Sequence, residues 1–149
     1  MKNPIEKTLI VPLTASEAFE LFTENMDTWW PKDPFSVTGD TSKVSFANHK
    51  GGDIVETGAD GSINVWGTLL AYDPGKYLAF SWHPGRDADE ATMVTVTFTQ
   101  TEAGTRCDLT HGGFEILGDT ADAVSSSYLS GWDLVLGCFA KAGLTPAIA

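Results

Sequence analysis

The chain has 149 residues, 42% of them hydrophobic and 19% charged, which is the composition of a folded globular protein and far from that of a disordered one. Its 20 acidic residues against 9 basic ones give a formal net charge of −11, and no Lys/Arg cluster is present to neutralise phosphates, which argues against nucleic acid and anionic membrane surfaces as partners. One domain over residues 1–149 is the simplest organisation, and a chain of this size buries roughly 68–70% of its unfolded surface, enough for a core and a cavity.

The opening stretch "MKNPIEKTLIVPL" is apolar over too few residues to span a bilayer and lacks the small-residue cleavage pattern of a signal peptide. A cytoplasmic protein with no membrane insertion is expected. A first strand is predicted around Glu6 to Val11. In "TASEAFELF", Thr14 is placed as an N-cap with Glu17 three residues later, the pattern of a capping box, and Phe19 and Phe22 share a helical face with Ala15 and Ala18 nearby. The two prolines of "NMDTWWPKDPF" forbid regular continuation, so an ordered loop or a second short helix follows.

From Lys43 to His111 the apolar period is two, and the breaks "HKGGD", "GADGS", "DPGK", "HPGRDADE" and "EAGT" are turn chemistry. Six consecutive antiparallel strands are predicted. Asp60-Gly61 suggests a two-residue hairpin turn of the primed type joining "DIVET" to "INVWGTLLAY". In "TMVTVTFTQ", Val94, Val96 and Phe98 form one row, and in "TRCDLTH" so do Cys107, Leu109 and His111. His111 therefore closes the inward row of the last strand.

Past "GGFEILGD" the period becomes helical, with Val124, Tyr128, Trp132, Val135 and Phe139 on one stripe that Leu129 and Leu136 widen. A helix of about 24 residues, roughly 36 Å long, is expected, with Asp119 or Thr120 as its cap and Gly143 at its end. The order of elements makes an α+β domain in which a strongly curved antiparallel sheet wraps the last helix, with a ligand pocket between them.

The residues capable of chemistry are few. Cys107 and Cys138 have no C-x-x-C spacing and read as buried free thiols. His49, His83 and His111 show no H-E-x-x-H spacing, so no metal site is expected, and the absence of hydrolase, nucleotide and dinucleotide motifs leaves no catalytic residue or cofactor assigned. His111 would need a carboxylate to orient it as a base, but Asp108 lies on the opposite face of the same strand, and a hydrogen-bonded core or pocket-rim histidine is the simpler role. Glu56, Glu90, Asp87 and Asp89 could supply paired carboxylates, but Asp87, Asp89 and Glu90 read more simply as a solvated acidic loop, and Gly51-Gly52 as a tight turn. Trp29, Trp30, Trp66, Trp82 and Trp132 are spread over the elements that surround the pocket, with Trp66 inward or outward according to register.

Taken in order, "VPLTASEAFELFT", "WWP", "KGGDIVE", "DGSINVWGTLLAYDPGKYLAFSWH", "VTVTFTQTEAGTRCDLTHGGF" and "GWDLVLGCF" resemble the bacterial homologues of the activator of the 90-kilodalton heat-shock protein's ATPase, within the START-like (SRPBCC, birch-pollen-allergen-like) superfamily. The resemblance covers nearly the whole chain. It implies a helix-grip fold, a curved seven-stranded sheet around a long C-terminal helix with short N-terminal helices after the first strand. It also implies a mostly apolar cavity that in relatives accepts lipids, polyketides or hormones, and no shared catalytic set. The doubled Trp29-Trp30 and the long acidic turn "HPGRDADEAT" depart from the usual pattern at the cavity entrance.

A hydrophobic or aromatic small molecule is thus the expected partner, held by Trp30, Phe35, Ile54, Trp66, Trp82, Leu109, His111, Trp132 and Phe139, with His111 and the indole N–H groups meeting its polar end. Trp30 with Pro31, Pro34 and Phe35 would form the mouth. A cyclase, aromatase or hydrolase using His111 is the rival enzyme reading. A co-chaperone-like module is the third, although a lone acidic domain without an interaction tail does not favour a chaperone partner. A monomer or homodimer fits either way.

Overall fold

In the computed structural model, which describes residues 4–30, 43–84 and 87–144, strand β1 (Ile5–Val11) leads into helix α1 (Ala15–Phe22) and a 3₁₀ turn (Met26–Thr28). Six strands follow, β2 (Lys43–Phe46), β3 (Asp53–Thr57), β4 (Ile63–Asp73), β5 (Tyr77–Trp82), β6 (Thr92–Thr101) and β7 (Gly104–Gly112), and then helix α2 (Ala121–Leu144). Among the described residues they form one antiparallel seven-stranded sheet in the order β1-β7-β6-β5-β4-β3-β2. The chain meanders from β2 to β7, and β1 closes the sheet by pairing with β7.

The inward rows follow from the period of two. Phe80, Val94, His111 and Ile5 stand side by side across β5, β6, β7 and β1, and Leu78, Val96 and Leu109 form the next row. All seven are buried, while Thr95, Thr97 and Thr99 alternate outward on β6. Helix α1 begins as the capping box requires: the Glu17 N–H donates to Thr14 Oγ1 at 3.1 Å and the Thr14 N–H donates to Glu17 Oε1 at 2.9 Å. Its buried Phe22 meets Phe139 of α2 edge-on at 5.4 Å, which ties both helices into one core.

Curvature is built into β4. The register shifts between Ile54 and Val55 opposite β4 and again between Leu69 and Ala71 of β4 itself, and such bulges bend and twist a strand. Between them sits Gly67, where a Cβ would collide with the carbonyl oxygen of Ser81. Only glycine permits that approach, and it turns Trp66 into the core.

Three local expectations are corrected. The β3–β4 hairpin forms, but its loop runs from Gly58 to Ser62: the Gly61 N–H donates to the Gly58 carbonyl, and Asp60 accepts the Ser62 N–H at 3.0 Å. Among the described residues only glycines have positive φ, so Asp60 does not supply the second left-handed residue that a primed two-residue turn needs. Neither Asp119 nor Thr120 opens α2 as a free cap, because 3₁₀ turns over Phe114–Thr120, broken by a kink at Gly118, run directly into it and the Thr120 hydroxyl donates to Leu117 O. Leu129 is 46% exposed, on the outer side of α2, whereas Leu136 is buried.

Gly67→Ala is expected to lose at least about 3 kcal/mol of stability in urea unfolding, since the added methyl meets backbone that cannot rotate away. Gly137→Ala, in open space on α2, is expected to gain about 0.5–1 kcal/mol from helix propensity. Equal effects at the two sites would contradict the assignment of Gly67 as a packing constraint.

Candidate functional site

Beneath α2 the inner face of the sheet carries a continuous series of rings. The Trp30 ring lies 5.0 Å from Trp66 and 5.9 Å from Trp82, and Trp66 and Trp82 are 5.8 Å apart. Trp82 stacks on Trp132 of α2 at 5.8 Å with 30° between planes, and Trp132 meets His111 edge-on. Ile54 and Leu109 are buried in the same core. Phe139 sits further along α2, where Trp29 and Phe22 contact it. Of the nine residues expected to line a pocket, eight are therefore buried in and around one cluster; Phe35, with Pro31 and Pro34, lies outside the described residues. Trp66 faces inward, so the register left open by the sequence is resolved.

His111 is fully buried, and both of its ring nitrogens are engaged. The Trp132 indole N–H donates to His111 Nδ1 at 2.8 Å. An indole nitrogen only donates, so Nδ1 carries no proton and the proton of the neutral ring sits on Nε2. Nε2–H then donates to Thr92 Oγ1 at 2.5 Å, and the Thr92 hydroxyl donates to the carbonyl of Trp82 at 3.2 Å. The relay joins α2, β7, β6 and β5. Burial pushes the imidazole down from its usual 6.5 to about 3, and a second ring proton would also point at the Trp132 N–H. A base needs a lone pair facing a substrate, and the one His111 has is occupied. In this geometry the polar atoms of His111 and the Trp132 indole bond one another and Thr92. Asp108, on the outer face, bonds Thr8 and Arg106 instead.

The buried polar group at the other side of the cluster is Glu56, which the expected site omitted. It is inaccessible to solvent, and its Oε1 accepts the Trp66 indole N–H at 3.1 Å. The alternation of "DIVET" contained the signal, because Glu56 shares its face with Ile54.

The remaining groups lie elsewhere. Cys107 is held inert by burial and by the charge of Asp108, which push its thiol up to about 12, and Cys138 is half-buried rather than buried. Among the described residues the one trio of close metal-ligating side chains is Asp87, Asp89 and Glu90, in the acidic loop, and it contains no histidine. An open groove of about 210 Å³ between α1 and the β4–β5 turn shares no residue with the Trp30, Trp66, Trp82 and Trp132 series. No described helix is long and apolar enough to cross a membrane.

The family model described as Activator of Hsp90 ATPase homolog 1-like protein matches residues 12–141. No curated protein matches significantly. Among solved structures, protein MLL2253 from Mesorhizobium loti aligns with a TM-score of 0.70 at 17% identity, covering 93% of this chain and 95% of that one. Protein CV1439 from Chromobacterium violaceum gives 0.69 at 18%, with 94% and 96% covered. These two likenesses establish the helix-grip fold. The anthrahydroquino-γ-pyrone synthase Txn09, complexed with SUM, gives 0.60 at 28%, with 83% and 84% covered.

The His111 relay fixes a pH dependence. Its folded pKa, about 3, lies below the usual 6.5, so between these values the unfolded chain binds more protons. The stabilisation is complete above pH 6.5 and is lost as pH falls through that window, with a slope approaching ~1.4 kcal/mol per pH unit. His111→Leu should lose this slope in urea titrations across the window and cost about 1–3 kcal/mol at neutral pH, because the Trp132 N–H and Thr92 hydroxyl lose their partner. An unchanged slope in the variant would contradict the assignment.

Proposed function

The chain belongs to the Activator of Hsp90 ATPase homolog 1-like family, and from that premise we propose that it binds a hydrophobic, aromatic small molecule between the inner face of its sheet and α2. The observation that carries this reading is the unbroken ring series Trp30, Trp66, Trp82 and Trp132, which crosses from the α1 side of the core to α2. Aliphatic packing alone would serve a core; flat indole faces 5–6 Å apart also offer surfaces on which a planar ligand exchanges ring for ring. The proposed lining is Trp30, Ile54, Trp66, Trp82, Leu109, Trp132 and Phe139. His111 holds the wall in place through Trp132 and does not touch the ligand. Affinity then comes from buried apolar area, on the order of 25 cal/mol per Å².

A second reading, an enzyme acting on an aromatic polyketide-like substrate in the same interior, is favoured by the 28% identity to the synthase Txn09. In that case the protein contributes enclosure and orientation, and proton transfer falls to a group other than His111.

Titration with fatty acids, flavonoids, steroids and aromatic polyketides, followed by tryptophan fluorescence and two-dimensional NMR, is expected to give saturable micromolar binding by the planar aromatic compounds. Shifts should concentrate at Trp66, Trp82 and Trp132. Trp82→Leu should weaken binding by about tenfold, corresponding to one lost stacking partner. No shift across the panel would overturn the reading, and product formation in the same samples would favour the enzyme.

A further inference from the structure

We propose that the groove between α1 and the β4–β5 turn is a second ligand site, which takes a small organic cation with a methylated ammonium head group. It lies apart from the interior site and stands independently of it.

The helix supplies one wall. Ser16, Phe19, Glu20, Thr23 and Glu24 recur at three- and four-residue spacing, so they share one side of α1 and the turn that follows it. That turn continues past Phe22, with the Thr23 N–H donating to the Phe19 carbonyl at 3.0 Å and the Asn25 N–H to the Glu20 carbonyl at 3.1 Å. Two exposed carboxylates therefore stand four residues apart at the C-terminal end of the helix. Such spacing sets like charges against each other, and the same end carries the negative pole of the backbone dipole. The last turn of α1 has no basic residue, and none of the described residues lining the groove is basic. On the turn, Asp73 and Lys76 flank the lining pair Pro74 and Gly75, and their charges offset one another. The groove keeps the charge of its glutamates, an arrangement that costs the helix stability and favours a cation.

The opposite wall is aromatic. Half-buried Tyr72 meets Phe19 edge-on at 5.2 Å with 76° between planes, so the two rings form adjoining walls of a corner. Aromatic faces attract a cation that comes within about 6 Å of the ring. Burial and then the charge of Glu24 push the Tyr72 hydroxyl up from its usual 10, which puts acid and ring in one electrostatic neighbourhood. Thr23 is buried, and its hydroxyl already donates to the Phe19 carbonyl at 2.8 Å. Recognition falls to carboxylate charge and ring surface, which suit a methylated ammonium better than a primary one with three N–H donors to satisfy. One end of the groove is closed at Gly75, which has φ +78° and where a Cβ would sit 3.4 Å from Ser16 Oγ. The open volume of about 210 Å³ is below the roughly 300–1,000 Å³ of drug-sized pockets, so the occupant is a single head group and not a peptide segment.

The test titrates choline and its uncharged isostere 3,3-dimethyl-1-butanol into the full chain, followed by two-dimensional NMR. Choline is expected to give saturable shifts at Thr23, Tyr72 and Gly75 at millimolar concentration, at least about tenfold tighter than the isostere, with the Trp66, Trp82 and Trp132 indole resonances unmoved. In the double variant Glu20→Gln, Glu24→Gln, at two exposed positions, that preference should fall to within about threefold, and Tyr72→Leu should weaken choline by about threefold or more. Equal affinity for the two probes, shifts that sodium chloride reproduces at equal concentration, choline shifts centred on the tryptophans, or no binding at all would each overturn the proposal. The interior site is tested with aromatic probes at other residues, so the two readings fail separately.

Discussion

The long helix is joined to the sheet by a buried relay of three hydrogen bonds, and its geometry depends on one neutral imidazole. Trp132 can donate only because His111 Nδ1 is unprotonated, and His111 can donate to Thr92 only because its proton is on Nε2. Every polar side-chain atom of the relay is engaged, ending on the Trp82 carbonyl. Removing a link would leave buried donors or acceptors without partners, and that cost is what makes the arrangement specific rather than merely apolar. The relay also sets the angle at which Trp132 lies against Trp82, the contact where helix and sheet faces meet in the aromatic series.

From that constraint the division of labour in the interior follows. The inward histidine, the obvious candidate for chemistry in the sequence, is spent on structure. The indole N–H groups of Trp132 and Trp66 are tied to His111 and Glu56, and that of Trp29 to the Leu21 carbonyl. An acidic chain with a net charge of −11 adds solubility rather than attraction for anions.

Much of this was legible in the chain. The period of two placed Val94, Val96 and Phe98 with Cys107, Leu109 and His111 on one face, and the Thr14/Glu17 spacing placed α1, because each rests on local geometry. What escaped the sequence depends on distant pairings. The partner of His111 is 21 residues away on α2, and only the rotation of that helix against the sheet decides that Trp132, and not a ligand, meets Nδ1. Leu129 fits the helical stripe by spacing yet faces outward, since a 24-residue helix presents a narrower buried face than its apolar pattern allows. Glu56 had the right alternation, but an acid is expected outside, and residue type masked periodicity. The primed hairpin failed because an Asp side chain that accepts the Ser62 N–H stabilises a longer loop.

The most direct measurement is a long-range ¹H–¹⁵N correlation of the histidine side chains between pH 7 and pH 4. His111 is expected to appear as the Nε2–H tautomer with an unprotonated Nδ1 and not to titrate until far below its usual 6.5. A His111 ring that titrates near 6.5, or that carries its proton on Nδ1, would contradict the relay and with it the claim that this residue binds the helix to the sheet.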